Sequence, residues 1–159
     1  MQTPPPYEAS PDTMTRILVV NGPNLNLLGE REPGQYGQRS LADILEEMQC
    51  VASATGVELD AVQSNAEGEL IDAVQRAGRD GVDWIILNPA GYTHTSVALR
   101  DALLAVDIPF IEVHLSAVSA REPFRQVSYF ADIAEGVISG FRGEGYLLAL
   151  QAILNRIEP

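Results

Sequence analysis

WIILNPAGYTHTSVALRDALLAV, residues 84–106, is the stretch that decides the fold. WIILN (84–88) is a short apolar run and reads as a strand. Asn88 and Pro89 close it, as residues suited to a turn. A helix is then predicted from Thr93, with Leu99, Ala102, Leu103 and Val106 at helical spacing as its buried face. PFIEVHL (109–115) follows as the next strand. One helix between two strands is the crossover that parallel strands require.

The same unit repeats in both directions along the chain. RILVVN (16–21), VELDAVQ (57–63) and GVISG (136–140) read as further strands. SLADILEEMQCVASATG (40–56) carries Leu41, Ile44, Leu45, Met48 and Ala52 at helical spacing. Ser40 with Asp43 resembles a capping box, and Gly56 stands where a C-cap belongs. Asn65 can cap a helix bearing Leu70, Val74 and Ala77, and GYLLALQAILNRI (145–157) is the last helix. Strands alternating with single helices predict a flavodoxin-like, three-layer α/β/α fold. Its sheet has five parallel strands in the order 2-1-3-4-5, in one domain over residues 16–159. The opening MQTPPPYEASPDTM is Pro-rich and poor in hydrophobes, so residues 1–15 are expected to be a disordered tail. That stretch has neither the basic nor the apolar segment of a signal peptide, and no apolar run approaches a membrane span. The expected location is cytoplasmic, with no membrane partner.

Composition removes several chemistries. The chain has ten basic residues against 22 acids, a net charge of −12 and a pI near 4.4. Phosphate binding needs a basic surface, so nucleic acid is not an expected partner. All ten basic residues are Arg. Without lysine there is no Schiff base, hence no pyridoxal phosphate chemistry, and no P-loop. Cys50 is the one cysteine, on the side of its helix opposite the apolar stripe, so neither an internal disulfide nor a thiolate metal cage can form.

In a parallel sheet of this kind, ligands bind beyond the carboxyl ends of the strands. Three polar clusters fall there: NGPNLNLLG (21–29), NPAGYTHTS (88–96) and EVHLS (112–116). Both histidines of the chain, His94 and His114, lie in them. Glu112, His114 and Ser116 are two apart and share one side of their strand. A carboxylate beside an imidazole stabilises the protonated ring, which can act as an acid. GEREPGQYG (29–37) sets Arg31 and Tyr36 between glycines, Gly29, Gly34 and Gly37, that would let the segment close over a ligand. A phenol is a poor base at neutral pH, and a nearby guanidinium stabilises its anion. Tyr36 as base and His114 as acid would suit proton abstraction with loss of water. Arg121 and Arg125 flank Pro123, where a helix start disfavours a cation unless an anion or a salt bridge holds it.

These runs, with QSNAEGELI (63–71), ILNPAGYTHTSVALRDAL (86–103) and AREPFRQVSYF (120–130), closely resemble type II 3-dehydroquinate dehydratase. The resemblance implies dehydration of 3-dehydroquinate to 3-dehydroshikimate in the shikimate pathway, with neither metal nor organic cofactor. The route implied is trans elimination through an enol or enolate. Tyr36 resembles the base at C2, Arg31 its activator and Asn24 the residue that positions a water near the enolate. His114 resembles the acid that protonates the leaving C1 hydroxyl, and Glu112 its orienter. Asn88, His94, Leu115, Ser116 and Arg125 resemble the substrate-binding set. The family further implies a homododecamer built from trimers, in which Asp101 reaches a neighbouring site. On one helix His94 and Asp101 would lie about 10 Å apart along the axis, too far to meet within a chain.

Three other readings stand beside this one. A flavin- or nucleotide-binding module shares the fold, although GPNLNLLG lacks the Ser and Thr of a phosphate loop. A metal hydrolase could use His94, His114 and Glu112. A protein without chemistry would leave the polar strand ends unexplained.

Overall fold

In a computed structural model, residues 14–158 are described. The tail expected over residues 1–15 therefore lies outside the described residues, apart from Met14 and Thr15. The Thr15 carbonyl already accepts the Glu58 N–H at 2.9 Å.

The strands are β1 (Arg16–Asn21), β2 (Glu58–Gln63), β3 (Trp84–Asn88), β4 (Phe110–His114) and β5 (Gly136–Ser139). All pairings are parallel, and the order is β2-β1-β3-β4-β5, as expected. The helices are α1 (Pro33–Tyr36), α2 (Leu41–Thr55), α3 (Glu67–Asp80), α4 (Val97–Val106) and α5 (Glu144–Ile157). The period-two alternation of the strands divides the core between two faces. Ile17, Val19, Ile86, Ile111 and Val113 meet α2 and α5. Val20, Ile85, Leu87 and Phe110 meet α3 and α4. Both faces are covered, which explains why β1 and β3 run apolar over residues 17–20 and 84–87, ahead of their terminal asparagines.

Helix ends separate the expectations. Ser40 caps α2 in a full capping box with Asp43, and Gly56 ends it in the left-handed conformation. Two other caps differ. Asn65 does not cap α3: its Oδ1 instead accepts the Asn24 N–H at 2.9 Å, bracing the turn after β1. Thr93 does not begin α4. The chain first makes a 3-10 turn, Ala90–His94, in which the Thr93 hydroxyl donates to the Ala90 carbonyl. Ser96 is the actual cap, its Oγ accepting the Leu99 N–H at 3.0 Å. Val106 is only partly buried, whereas Leu99, Ala102 and Leu103 are buried.

The turns after β1 and β3 are pressed together. Gly22 donates its N–H to the Asn88 carbonyl at 2.8 Å, and a Cβ on Gly22 would stand 2.4 Å from the Pro89 oxygen. Only glycine permits that approach, and it brings the polar ends of β1 and β3 to one place.

Candidate active site

A cavity of about 140 Å³ opens at the carboxyl ends of β1, β3 and β4. Asn24 and the adjacent 3-10 turn Leu25–Leu27 form one wall. Asn88 and His94 come from the end of β3 and the turn beyond it, and His114, Leu115 and Ser116 from the end of β4. Arg31 and Tyr36 overhang from the 29–37 segment, and Arg125 completes the rim.

Two of the expected site residues are not on the wall. Glu112 is fully buried beneath His114, with its Oε1 2.6 Å from His114 Nε2. Asp101 is exposed on α4 and does not line this chain's cavity. The expectation that His94 and Asp101 share one helix is corrected: His94 belongs to the 3-10 turn, and α4 begins at Val97.

The buried pair has a defined polarity. A carboxylate oxygen accepts, so the Nε2–H of His114 donates to Glu112 and Nδ1 is left toward the cavity. Ser128 is a second donor to Oε1, at 2.7 Å. Its hydroxyl oxygen accepts the N–H groups of Phe130 and Ala131 at 3.1 and 3.2 Å, which turns its single proton toward Glu112. Glu112 Oε2 has no partner among the described residues. His94 is fixed in a similar way: Nδ1 donates to the Val127 carbonyl at 2.7 Å, leaving Nε2 as the free ring nitrogen.

The overhanging segment is more ordered than a glycine loop. Pro33–Tyr36 make a short helical turn, with Glu32 in the left-handed region at φ 41°. Gly29 and Gly37 have positive φ, 95° and 88°, while Gly34 lies inside the turn and does not. Arg31 sits over the Tyr36 ring at 5.6 Å rather than on its hydroxyl. Arg121 does reach the hydroxyl: its Nη1 donates to Tyr36 Oη at 2.8 Å, and its guanidinium also covers the ring at 5.5 Å. Arg125 is held by Glu122 at 2.6 Å, beside the cavity. The Glu122 carboxyl is held below its ordinary value, chiefly by its backbone hydrogen bond and then by the Arg125 guanidinium.

Three residues of this arrangement lay outside the expected set. Arg121 was noticed for its charge, but nothing in the spacing said it would reach Tyr36. Ser128 gave no local signal, since its contact with Glu112 spans 16 residues of chain. Tyr146, on the first turn of α5, accepts from Asn88 Nδ2 at 2.9 Å behind the cavity wall, yet reads in sequence as one more apolar helix residue.

The electrostatic character is clear. Arg31, Arg121 and Arg125 all face the cavity, and among the described residues no carboxylate lines it. In a chain of net charge −12 this is a local reversal of sign suited to an anionic small molecule. Among the described residues no three His, Cys, Asp or Glu side chains converge as a metal site. His114 and Glu112 are committed to each other.

Residues 15–154 match the family model described as dehydroquinase class II. The chain is 62% identical over 144 residues to a 3-dehydroquinate dehydratase of Marinobacter nauticus, covering 91% of this chain and 99% of that one. It is 59% identical over 145 residues to the enzyme of that name from Alkalilimnicola ehrlichii, covering 91% and 95%. Among solved structures it is similar to the type II dehydroquinase of Butyrivibrio crossotus, with a TM-score of 0.86 and 42% identity over 89% of this chain and 98% of that one. With the family model spanning most of the chain and these identities over nearly its whole length, this protein belongs to the class II dehydroquinases.

Proposed function

We propose that this cavity carries out the class II reaction, with Tyr36 as base and His114 as acid. The protein is a 3-dehydroquinate dehydratase, a hydro-lyase of the shikimate pathway, converting 3-dehydroquinate to 3-dehydroshikimate and water. The observation that carries the assignment of roles is the pairing of Tyr36 with Arg121 over the same cavity that His114, backed by the buried Glu112, enters from below.

The Tyr36 phenolate takes the proton from C2, and the C2–H electron pair moves toward the C3 carbonyl to give an enolate. A guanidinium donating to the phenol oxygen stabilises the anion that must form. Arg121 makes that contact, and Arg31 adds its charge over the ring. Asn24, on the cavity wall, positions a water near the enolate oxygen. The pair then returns to form the C1–C2 double bond, and the C1–O bond breaks. His114 gives its proton to the departing hydroxyl from Nδ1, while Glu112 holds the ring through Nε2. The net change is loss of water. Neither electrons nor groups need an external carrier, so these side chains suffice without a cofactor. Asn88, His94, Leu115, Ser116 and Arg125 bind the substrate, with Arg125 a natural partner for its carboxylate.

The same reading covers the assembly. Residues 16–159 form one catalytic domain, and we propose a cytoplasmic homododecamer built from trimers, with Asp101 contributed to a neighbouring site. On α4, Val97, Asp101 and Leu104 share one face by their helical spacing, and all are exposed in the single chain. An acid flanked by exposed apolar residues suits a subunit contact.

The test is direct. Purified protein mixed with 3-dehydroquinate is expected to generate the ultraviolet absorbance of a conjugated enone. Borohydride added with substrate is expected to leave activity intact, because a chain without lysine forms no imine. Reduction of substrate onto the chain would overturn the mechanism.

A further inference from the structure

We propose that Tyr146 is a positioning residue which, through Asn21, sets the side-chain amide of Asn88 so that one N–H is presented to a ligand oxygen. The inference rests on the binding role proposed for Asn88.

Asn21 and Asn88 are register partners at the ends of β1 and β3. By the two-residue alternation, Asn21 follows Ile17 and Val19, and Asn88 follows Ile86, onto the face covered by α5. Tyr146 rises from the first turn of α5 and meets both. Its hydroxyl donates to Asn21 Oδ1 at 2.7 Å and accepts from Asn88 Nδ2 at 2.9 Å. Asn21 and Tyr146 are fully buried, and Asn88 is 2% exposed.

The direction of every bond is forced from the two ends. Asn21 Nδ2 donates to the Val62 carbonyl at 3.2 Å, and a carbonyl can only accept. Asn21 Oδ1 must therefore face the tyrosine, which commits the phenolic proton. The phenol oxygen is then only an acceptor toward Asn88, so it selects Nδ2 over Oδ1. At the other end the Ala90 N–H donates to Asn88 Oδ1 at 3.1 Å, and a backbone N–H can only donate. A reversed amide would set oxygen against the phenol oxygen and N–H against N–H. Burial raises the Tyr146 pKa, so the phenol keeps the proton on which the chain of bonds depends.

Asn88 has two N–H groups and spends one on Tyr146. The other has no acceptor among the described residues, and Asn88 lines the cavity. The ligand group that fits it is an acceptor oxygen, a hydroxyl or a carboxylate.

Steady-state kinetics on 3-dehydroquinate test this with Tyr146→Phe, Asn88→Ala and the double variant. Tyr146→Phe is expected to raise KM about tenfold, the size of one well-made hydrogen bond, with kcat little changed. A fall in melting temperature is expected from any buried role and does not discriminate. The cycle does: in an Asn88→Ala background, Tyr146→Phe is expected to add nothing to KM. Multiplying effects would show that Tyr146 acts elsewhere and overturn the proposal. A raised KM in Asn88→Ala with an unchanged KM in Tyr146→Phe overturns the relay alone. An unchanged KM in Asn88→Ala overturns both the relay and the binding role. Should Tyr146→Phe not fold, Asn21→Ala frees the phenolic proton with the ring intact, and the same expectations and refutations apply to it.

Discussion

Tyr36 can take a proton only as its anion, so its oxygen is the atom on which the proposed chemistry depends. Tyr36→Phe keeps the ring under both guanidiniums and deletes that oxygen. Turnover is expected to fall by at least ~10²-fold, the low end for general base catalysis, and near-normal turnover would remove Tyr36 from the role. Ser128 makes a second residue-scale case. It is the only hydroxyl donor to the buried Glu112 among the described residues, and a hydrogen bond to a charged group contributes about 1.5–3 kcal/mol. Ser128→Ala is expected to lower kcat on the order of tenfold with KM nearly constant, because it loosens the carboxylate that holds His114. An unchanged kcat would mean that Ser128 only closes its own turn. These two residues differ in how far the sequence disclosed them. Tyr36 was legible because a phenol and a cation between glycines is an unusual local composition. The Glu112–His114 pair was legible because two residues on a strand share a face. Ser128, Arg121 and Tyr146 act through contacts 16, 85 and 125 residues away along the chain, and no local pattern encodes such pairs.

The elements were legible where periodicity and capping agree, as in α2, and blurred where a turn intervenes. The strand-to-helix link after β3 read as helix from Thr93, because Thr is a competent cap and the spacing of the apolar residues does not mark where winding begins. The structure inserts a 3-10 turn that carries His94 to the cavity, and capping passes to Ser96. The segment that bears Ser128 is tied to α4 in turn. Arg100 donates to the Tyr129 carbonyl at 2.7 Å and grips both oxygens of Asp132. The Asp132 carboxyl is held below its ordinary value of 3.8, first by the hydrogen bond from Arg100 and also by its charge. Because the folded value is depressed, the contribution to stability is complete above the unfolded value and is lost as pH falls through the folded one. The melting temperature of Asp132→Asn is expected to lie below that of the parent at neutral pH, and the gap to close as pH drops below about 3.8. A gap that persists unchanged well below that pH would show that the pair adds nothing through charge.

At the scale of the whole molecule, charge and surface are divided in a way that one chain does not explain. The protein carries a net −12, yet its cavity presents three arginines and no acid among the described residues. Glu122 and Glu32 pair with them from outside the cavity, 2.6 Å from Arg125, 3.9 Å from Arg121 and 3.8 Å from Arg31, so within one chain no carboxylate faces them across the cavity once the substrate has left. Asp101 is a candidate to do so, but it stands on the exposed face of α4 between Val97 and Leu104, 56% and 52% exposed. Covering those apolar neighbours against a second copy would be favourable at about 25 cal/mol per Å² of apolar surface removed from water. It would also carry Asp101 toward the partner's rim of arginines. Assembly and substrate binding would then be linked: a ligand bound by residues of two chains favours the assembled state by mass action. Asp101→Ala is expected to raise KM while each chain keeps its fold, as read by circular dichroism. Sedimentation at assay concentration is expected to find the dodecamer for the parent protein. A fully active monomer, sedimenting alone at that concentration, would defeat the shared site, because every group the reaction needs would then lie within one chain.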